Sequence, residues 1–378
     1  MSEPRKPIDL TPDANMASLT DEQRQLMALL LQEAGVASPS SQAIGPRADR
    51  SSTDGSRAPL SFAQSRMWFL YRQAPHDPSY NIQTAQRLRG PLNQNALSAA
   101  LNGLVARHEA LRTGFRDEGQ TIWQVVAPLA PLEINTVELE PGDDLNGLIA
   151  EAALKPWDLT QTTALRVTLI RCNDNDHVLL LGMHHILSDA WSVGLLAREL
   201  WQAYAAALEG REPQWPGDVL GYADYAVWEQ THGLAGLAKD RQYWVEQLKQ
   251  APTQLTLPLD VERHQAQAGA AAMHVWRLGA PTTLAINQLA QASRCSVFAI
   301  CLAGFYLLLG ELTARRDVLV ASPVANRERA ELESVMGYFA NTVVLRGQWH
   351  PSLSFEALVN QTQEQSLEAL AHQRFPFE

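Results

Sequence analysis

The run Met183-His184-His185-Ile186-Leu187-Ser188-Asp189-Ala190-Trp191-Ser192 marks the passage from a buried strand into a helix. Before it, Val178-Leu179-Leu180-Leu181-Gly182 is short, apolar and bounded by turn residues, the pattern of a core strand. After it, Trp191, Leu195, Leu196, Leu200 and Tyr204 recur at helical spacing. Ser188 or Asp189 suits the N-cap of that helix. Successive side chains on a strand point to opposite faces, so His184 and His185 cannot share one environment. One is expected to face inward and be held, the other to face a cleft.

An imidazole with a pKa near ~6.5 is a general base that works at neutral pH. A helix N-terminus beside it offers backbone N–H groups and partial positive charge to a developing oxyanion. Base plus oxyanion site suits acyl transfer. The competing reading makes both histidines hydrogen-bonded core residues. A metal site is not expected, because adjacent strand histidines diverge and no cysteine or further histidine lies at ligand spacing.

At 378 residues the chain has room for two lobes, and 46% hydrophobic with 19% charged residues describes a soluble globular protein with a full core. The net charge of -11 and the lack of any basic run argue against a nucleic-acid partner. Cys172, Cys295 and Cys301 are an odd number in apolar or turn contexts, which fits reduced thiols in the cytoplasm rather than a disulfide framework. The polar N-terminus has no signal-peptide core. The apolar run 297–309 is too short to span a bilayer and reads as a buried helix, so no membrane association is expected.

Residues 1–36 read as a polar tail and a short helix over 19–31, capped by Thr20 with Gln23 three residues on. Leu26, Leu29, Leu30 and Leu31 give it an apolar face, which docks on the main body or on another protein, unless the segment is a mere tether. Residues 37–59, rich in Ser, Pro, Gly and Ala, read as a flexible linker. The body then divides into an N-terminal lobe, 60–233, and a C-terminal lobe, 234–378. In the first, Arg66 stands among the apolar residues of a helix and calls for a carboxylate partner. Strands are expected at 84–89, 121–126 and 132–137, and a hairpin over 165–171 and 177–185 across Asn173-Asp174-Asn175-Asp176. In the second lobe, strands at 273–278, 318–321 and 339–346 alternate with helices at 281–292, from Val297, and at 355–370. Strands mixed with helices in both halves give an α/β or α+β layered fold.

Taken in order, these stretches resemble the core motifs of a nonribosomal peptide synthetase condensation domain. His184-His185-Ile186-Leu187-Ser188-Asp189-Ala190 is similar to the family's HHxxxDG signature. Residues 61–70 resemble its first motif and Arg107-His108-Glu109-Ala110-Leu111-Arg112-Thr113-Gly114-Phe115 its second. Residues 222–228, 336–342 and 372–378 resemble later ones. HHxxxDG alone is shared with other chloramphenicol-acetyltransferase-like enzymes, whereas the ordered series is specific.

The resemblance implies two chloramphenicol-acetyltransferase-like lobes in a V, with a tunnel between them. It implies an acyltransferase that joins an acyl or peptidyl thioester on an upstream carrier to an aminoacyl thioester on a downstream one. No cofactor is bound directly: the phosphopantetheine arms belong to the carrier partners, and an adenylation domain can share the synthetase. By resemblance His185 is the catalytic histidine, orienting the amine and taking its proton or stabilising the tetrahedral intermediate. His184 is the structural one, Asp189 pairs with Arg66, and Ala190, Trp191 and Asn341 line the tunnel. Two departures stand out. Ala190 replaces the usual glycine, tolerated if its φ is negative and strained if positive. The chain also stops inside the sixth motif, at Glu378, which suggests a shortened domain, a gene fragment or a degenerate one. The rival readings are a catalytically silent platform that binds carriers or tailoring enzymes, and a starter domain that attaches a fatty acyl group.

Overall fold

Strand β7 (Asp176–His184) is buried almost throughout because both its faces are covered. Leu179 and Leu181 point to one side. There they join Leu97, Leu101 and Leu104 of α2 (Gln94–Arg107) and Leu195, Leu196 and Leu200 of α4 (Ala190–Leu208). Val178 and Leu180 point to the other, against Leu145, Leu148 and Ile149 of α3 (Leu145–Leu154). The period-two alternation of a strand thus becomes a continuous apolar run in sequence, since each face has its own helical layer. Burying one such leucine is worth about 1.5–3 kcal/mol.

The computed structural model describes residues 43–49, 55–119, 121–162, 164–215, 217, 219–233, 237–259 and 273–377. The helix expected over 19–31 lies outside them. Around β7 runs a four-stranded sheet, in the order β2-β7-β6-β5, with β2 Asn81–Arg89, β5 Ile134–Glu138 and β6 Arg166–Asn173. β6 and β7 form the expected hairpin, with Asn173 opposite Asp176. β5 pairs parallel to β6, the α3 crossover lying between them in the chain. A second sheet, β1-β4-β3, is built from β1 (Ser56–Pro59), β3 (Thr113–Asp117) and β4 (Ile122–Val126).

The stretch expected to be a linker, 37–59, is structured at its C-terminal end. β1 pairs antiparallel with β4 along its whole length. Arg47, 4% exposed, directs Nη1 to Glu109 Oε2 and Asp224 Oδ1, each at 2.9 Å. Two buried carboxylates brought together need a cation between them, and polar, turn-rich composition conceals that an arginine of this segment supplies it. Glu109 belongs to the second motif-like stretch. Its neighbour His108 contacts Glu199 of α4 at 2.5 Å, which makes that stretch a buried polar girder of the fold.

In the second half, α7 (Ala280–Ser293), α8 (Val297–Thr313) and α9 (Phe355–Ala371) accompany a two-stranded sheet of β8 (Asp317–Val324) and β9 (Asn341–Gln348). Leu302, Tyr306 and Leu309 of α8 pack with Val318, Val343, Leu345 and Ala369. The strand expected at 273–278 does not form: the segment is unpaired, with Met273 89% exposed. Strand-like alternation becomes a strand only where another edge accepts its hydrogen bonds. No single helix among the described residues is long and apolar enough to cross a membrane. Pro46–Glu378 holds together as one compact unit.

Candidate active site

Three segments meet at the C-terminal end of β7. The first is the strand end itself. β7 stops at His184, and His185–Leu187 make one turn of 3-10 helix, so the two histidines part by a change of backbone as well as by alternation. His184 is 3% exposed, its Nδ1 accepts from the Ile186 N–H at 3.1 Å, and its ring lies near Tyr71 and Tyr80. Burial, with a smaller contribution from His185, pushes the His184 pKa down to about 4. Above pH ~6.5 this ring is neutral in both the folded and the unfolded chain. Between that pH and about 4 the unfolded chain takes up a proton that the folded one does not, so stability falls as pH is lowered. Urea unfolding at stepped pH should show a loss of about 3 kcal/mol over that window, absent in His184→Asn.

His185 is half-buried, with Nδ1 buried and without a hydrogen-bond partner among the described residues. Its ring meets that of Tyr338 edge to face, at 5.1 Å and 72°.

The second segment is α1 (Phe62–Gln73). Ser61 caps it in a reciprocal box with Gln64, whose side-chain amide also reaches the Ile186 carbonyl at 3.4 Å. The first motif-like stretch therefore holds the histidine turn in place. Ser61 Oγ meets the hydroxyl of Tyr222, from α5 (Tyr222–His232), at 2.8 Å, and Tyr222 in turn donates to the Tyr338 carbonyl.

The third segment is the loop before β9. Asp189 is the N-cap of α4, accepting from the Ser192 N–H at 2.8 Å. Its carboxylate also accepts from the Phe339 N–H at 3.2 Å and from Arg327 Nη2 at 3.3 Å. Ser192 Oγ donates to the Gly337 carbonyl at 2.9 Å and accepts from the Gly337 N–H at 3.1 Å. A Cβ on Gly337 would stand 1.8 Å from the Tyr222 ring, so only glycine lets the loop come this close.

The expected pairing of Asp189 with Arg66 is therefore corrected: the ion pair comes from Arg327, 2% exposed at its side chain. Arg327 follows Asn326, whose φ of 51° turns the chain after β8. It lies over the Phe339 ring at 4.0 Å and donates to the Leu332 and Val335 carbonyls. Burial lowers its pKa, opposed by Asp189. Arg66 instead donates to the Tyr338 hydroxyl. At the helix N-terminus the Ser192 N–H is taken by the Asp189 cap.

Ala190 is the first residue of α4, exposed, and is not among the described residues with positive φ, so its methyl adds no backbone strain. Trp191 donates its indole N–H to the Glu333 carbonyl at 2.8 Å. Neither lines the small cleft bounded by Phe62, Arg66, Glu229, Tyr338, Asn341 and Arg374. Asn341 does, but its amide is occupied, donating to the Gln373 and Phe375 carbonyls at 2.7 Å each, and so pins the C-terminal segment to β9. Burial raises the Glu229 carboxyl above its usual range. The sequence reading missed Arg327, Ser192, Tyr338 and Glu229. Tyr338 and Ser192 carried a signal, since they lie in the motif-like stretches 336–342 and 183–192, whereas Arg327 carried only a charge past a strand end.

A condensation-domain family model matches residues 55–378, and the chain belongs to that family. It is 38% identical over 332 residues to a dimodular nonribosomal peptide synthase of Bacillus subtilis, covering 85% of this chain and 14% of that protein. It is 35% identical over 370 residues to phosphinothricin tripeptide synthetase PhsC of Streptomyces viridochromogenes, covering 96% of this chain and 34% of that one. The chain thus spans a minor part of these curated relatives. Among solved structures it is similar to the X-domain from teicoplanin biosynthesis, with TM-score 0.77 and 28% identity over 89% of this chain and 74% of that one. It is also similar to the first condensation domain of the calcium-dependent antibiotic synthetase in complex with a substrate analogue. There the TM-score is 0.74 and identity 25%, over 85% of this chain and 76% of that one. The mixed α/β architecture is accordingly the chloramphenicol-acetyltransferase-like fold of condensation domains.

Proposed function

We propose that the chain catalyses amide bond formation between two carrier-bound thioesters in nonribosomal peptide synthesis, in the cytoplasm. The amine of an aminoacyl thioester on a downstream carrier attacks the carbonyl carbon of an acyl or peptidyl thioester on an upstream carrier. A C–N bond forms and the C–S bond breaks. The proton lost by the amine passes by way of His185 to the departing thiolate of the donor's phosphopantetheine. The protein binds and orients both arms and moves that proton; the arms belong to the carriers, and an adenylation domain would load the acceptor.

The observation that carries this reading is a histidine left half-buried at a strand end, beside one that burial keeps neutral, in a chain of this family. The test is incubation with an upstream carrier bearing an N-acetyl-aminoacyl arm and downstream carriers loaded in turn with each proteinogenic amino acid. Intact mass spectrometry of the acceptor should show the added acyl mass on at least one of them. A panel without transfer, from a protein that binds both carriers, would favour the second reading.

That second reading is a silent platform for carriers or tailoring enzymes. The likeness to the X-domain favours it, since a solved complex pairs that X-domain with OxyB. An intact His185 in a cradle of three segments weighs against it.

A further inference from the structure

Resting on the reading of His185 as the proton-transferring group, we infer that Tyr338 is the positioning residue that sets the plane of its imidazole. A histidine base is usually oriented by a hydrogen bond at the nitrogen that does not act. Here Nδ1 is buried and has no such partner among the described residues. The ring must be held another way, because a free imidazole would sample orientations in which the acting nitrogen points away from the amine.

Tyr338 supplies the constraint. Its ring stands nearly perpendicular to the imidazole, at 72° and 5.1 Å between centroids. Edge-to-face contact is the favoured geometry of aromatic pairs, and it fixes the tilt of one plane against the other. Tyr338 is itself fixed at both ends: its carbonyl accepts from Tyr222, and its hydroxyl accepts from Arg66. It also packs in one apolar cluster with Met67, Ile186 and Leu187, the last two following His185 directly. The flanking residues are anchored to the start of α4, Gly337 by Ser192 and Phe339 by Asp189. The ion pair of Asp189 with Arg327 thereby reaches the imidazole through Tyr338 and touches no reacting atom. This gives the loop before β9 a catalytic consequence and Arg66 a task other than pairing Asp189.

The experiment combines kinetics and NMR on the full chain, using the acceptor that gives product in the carrier assay. Tyr338→Phe keeps the ring but loses the hydroxyl held by Arg66; it should lower kcat less than Tyr338→Leu, since the edge-to-face contact itself needs no hydroxyl. Tyr338→Leu should lower kcat at least tenfold with the KM for either carrier unchanged. The carbon–proton order parameters of the His185 ring, from 13C relaxation at Cδ2 and Cε1, should be high in the wild type and in Tyr338→Phe and fall in Tyr338→Leu. A folded Tyr338→Leu with wild-type kcat and unchanged His185 order parameters overturns the inference. If that variant does not fold, the wild-type values still decide, because low order parameters at Cδ2 and Cε1 there mean the ring is not held. Full activity of His185→Ala would instead sink the reading of the base, whatever Tyr338 does.

Discussion

Replacing His185 with alanine should lower the rate of amide formation by about 10²–10⁴-fold in a protein that still folds, the usual worth of a positioned general base. The structure gives the reason for expecting both halves of that result. The His185 ring makes no hydrogen bond through Nδ1 among the described residues, so its removal orphans no buried partner there. Its backbone turn is held by Gln64 through the Ile186 carbonyl and by His184 through the Ile186 N–H, neither of which needs the His185 side chain. Loss of rate without loss of structure is therefore the signature to look for, by acceptor mass spectrometry alongside a thermal melt. His184→Ala should show the converse, a lower melting temperature, because it empties a site between two tyrosines and strips the Ile186 N–H of its acceptor. A folded His185→Ala protein that turns over at the wild-type rate would take the histidine out of the chemistry.

Arg327→Met should destabilise the protein by roughly 3–5 kcal/mol, the cost of leaving one partner of a buried ion pair alone. Asp189 keeps its cap on α4 and its bond to the Phe339 N–H, but its charge loses the cation, and the Leu332 and Val335 carbonyls lose their donor. The informative measurement is a pair of double-mutant cycles by urea unfolding. Arg327→Met with Asp189→Asn should be strongly non-additive, as contacting charges are. Arg66→Met with Asp189→Asn should couple less, since Arg66 donates to Tyr338. The reverse ranking would restore Arg66 as the partner of Asp189.

Much of the site was legible because its signals are local. The apolar run before His184 and the helical spacing after Trp191 place the strand and the helix, and Asp189 is the kind of residue that caps one. The alternation of a strand separates two adjacent histidines wherever it ends. The negative φ of Ala190 follows from the same helical phase. What failed were statements about partners. Arg66 and Arg327 are both arginines that need a carboxylate, and nothing in their sequence neighbourhoods says which one reaches Asp189. The unpaired segment at 273–278 and the buried Arg47 failed in the same way, one with a strand pattern but no accepting edge, the other with a linker's composition but two carboxylates waiting.

From its sequence alone the chain determined most of its elements, the order of its motifs, the parting of His184 from His185 and the cap on α4. Each depends on residues within a turn or two of one another, and backbone sterics and side-chain period act at that range. The tertiary structure alone decided that Arg327 holds Asp189, that Gly337 lies against Tyr222, and that the Tyr338 ring meets His185. Those contacts join residues more than a hundred positions apart. They are selected by which surfaces can close without stranding a buried charge or an unpaired N–H, a condition that no local window of the chain contains.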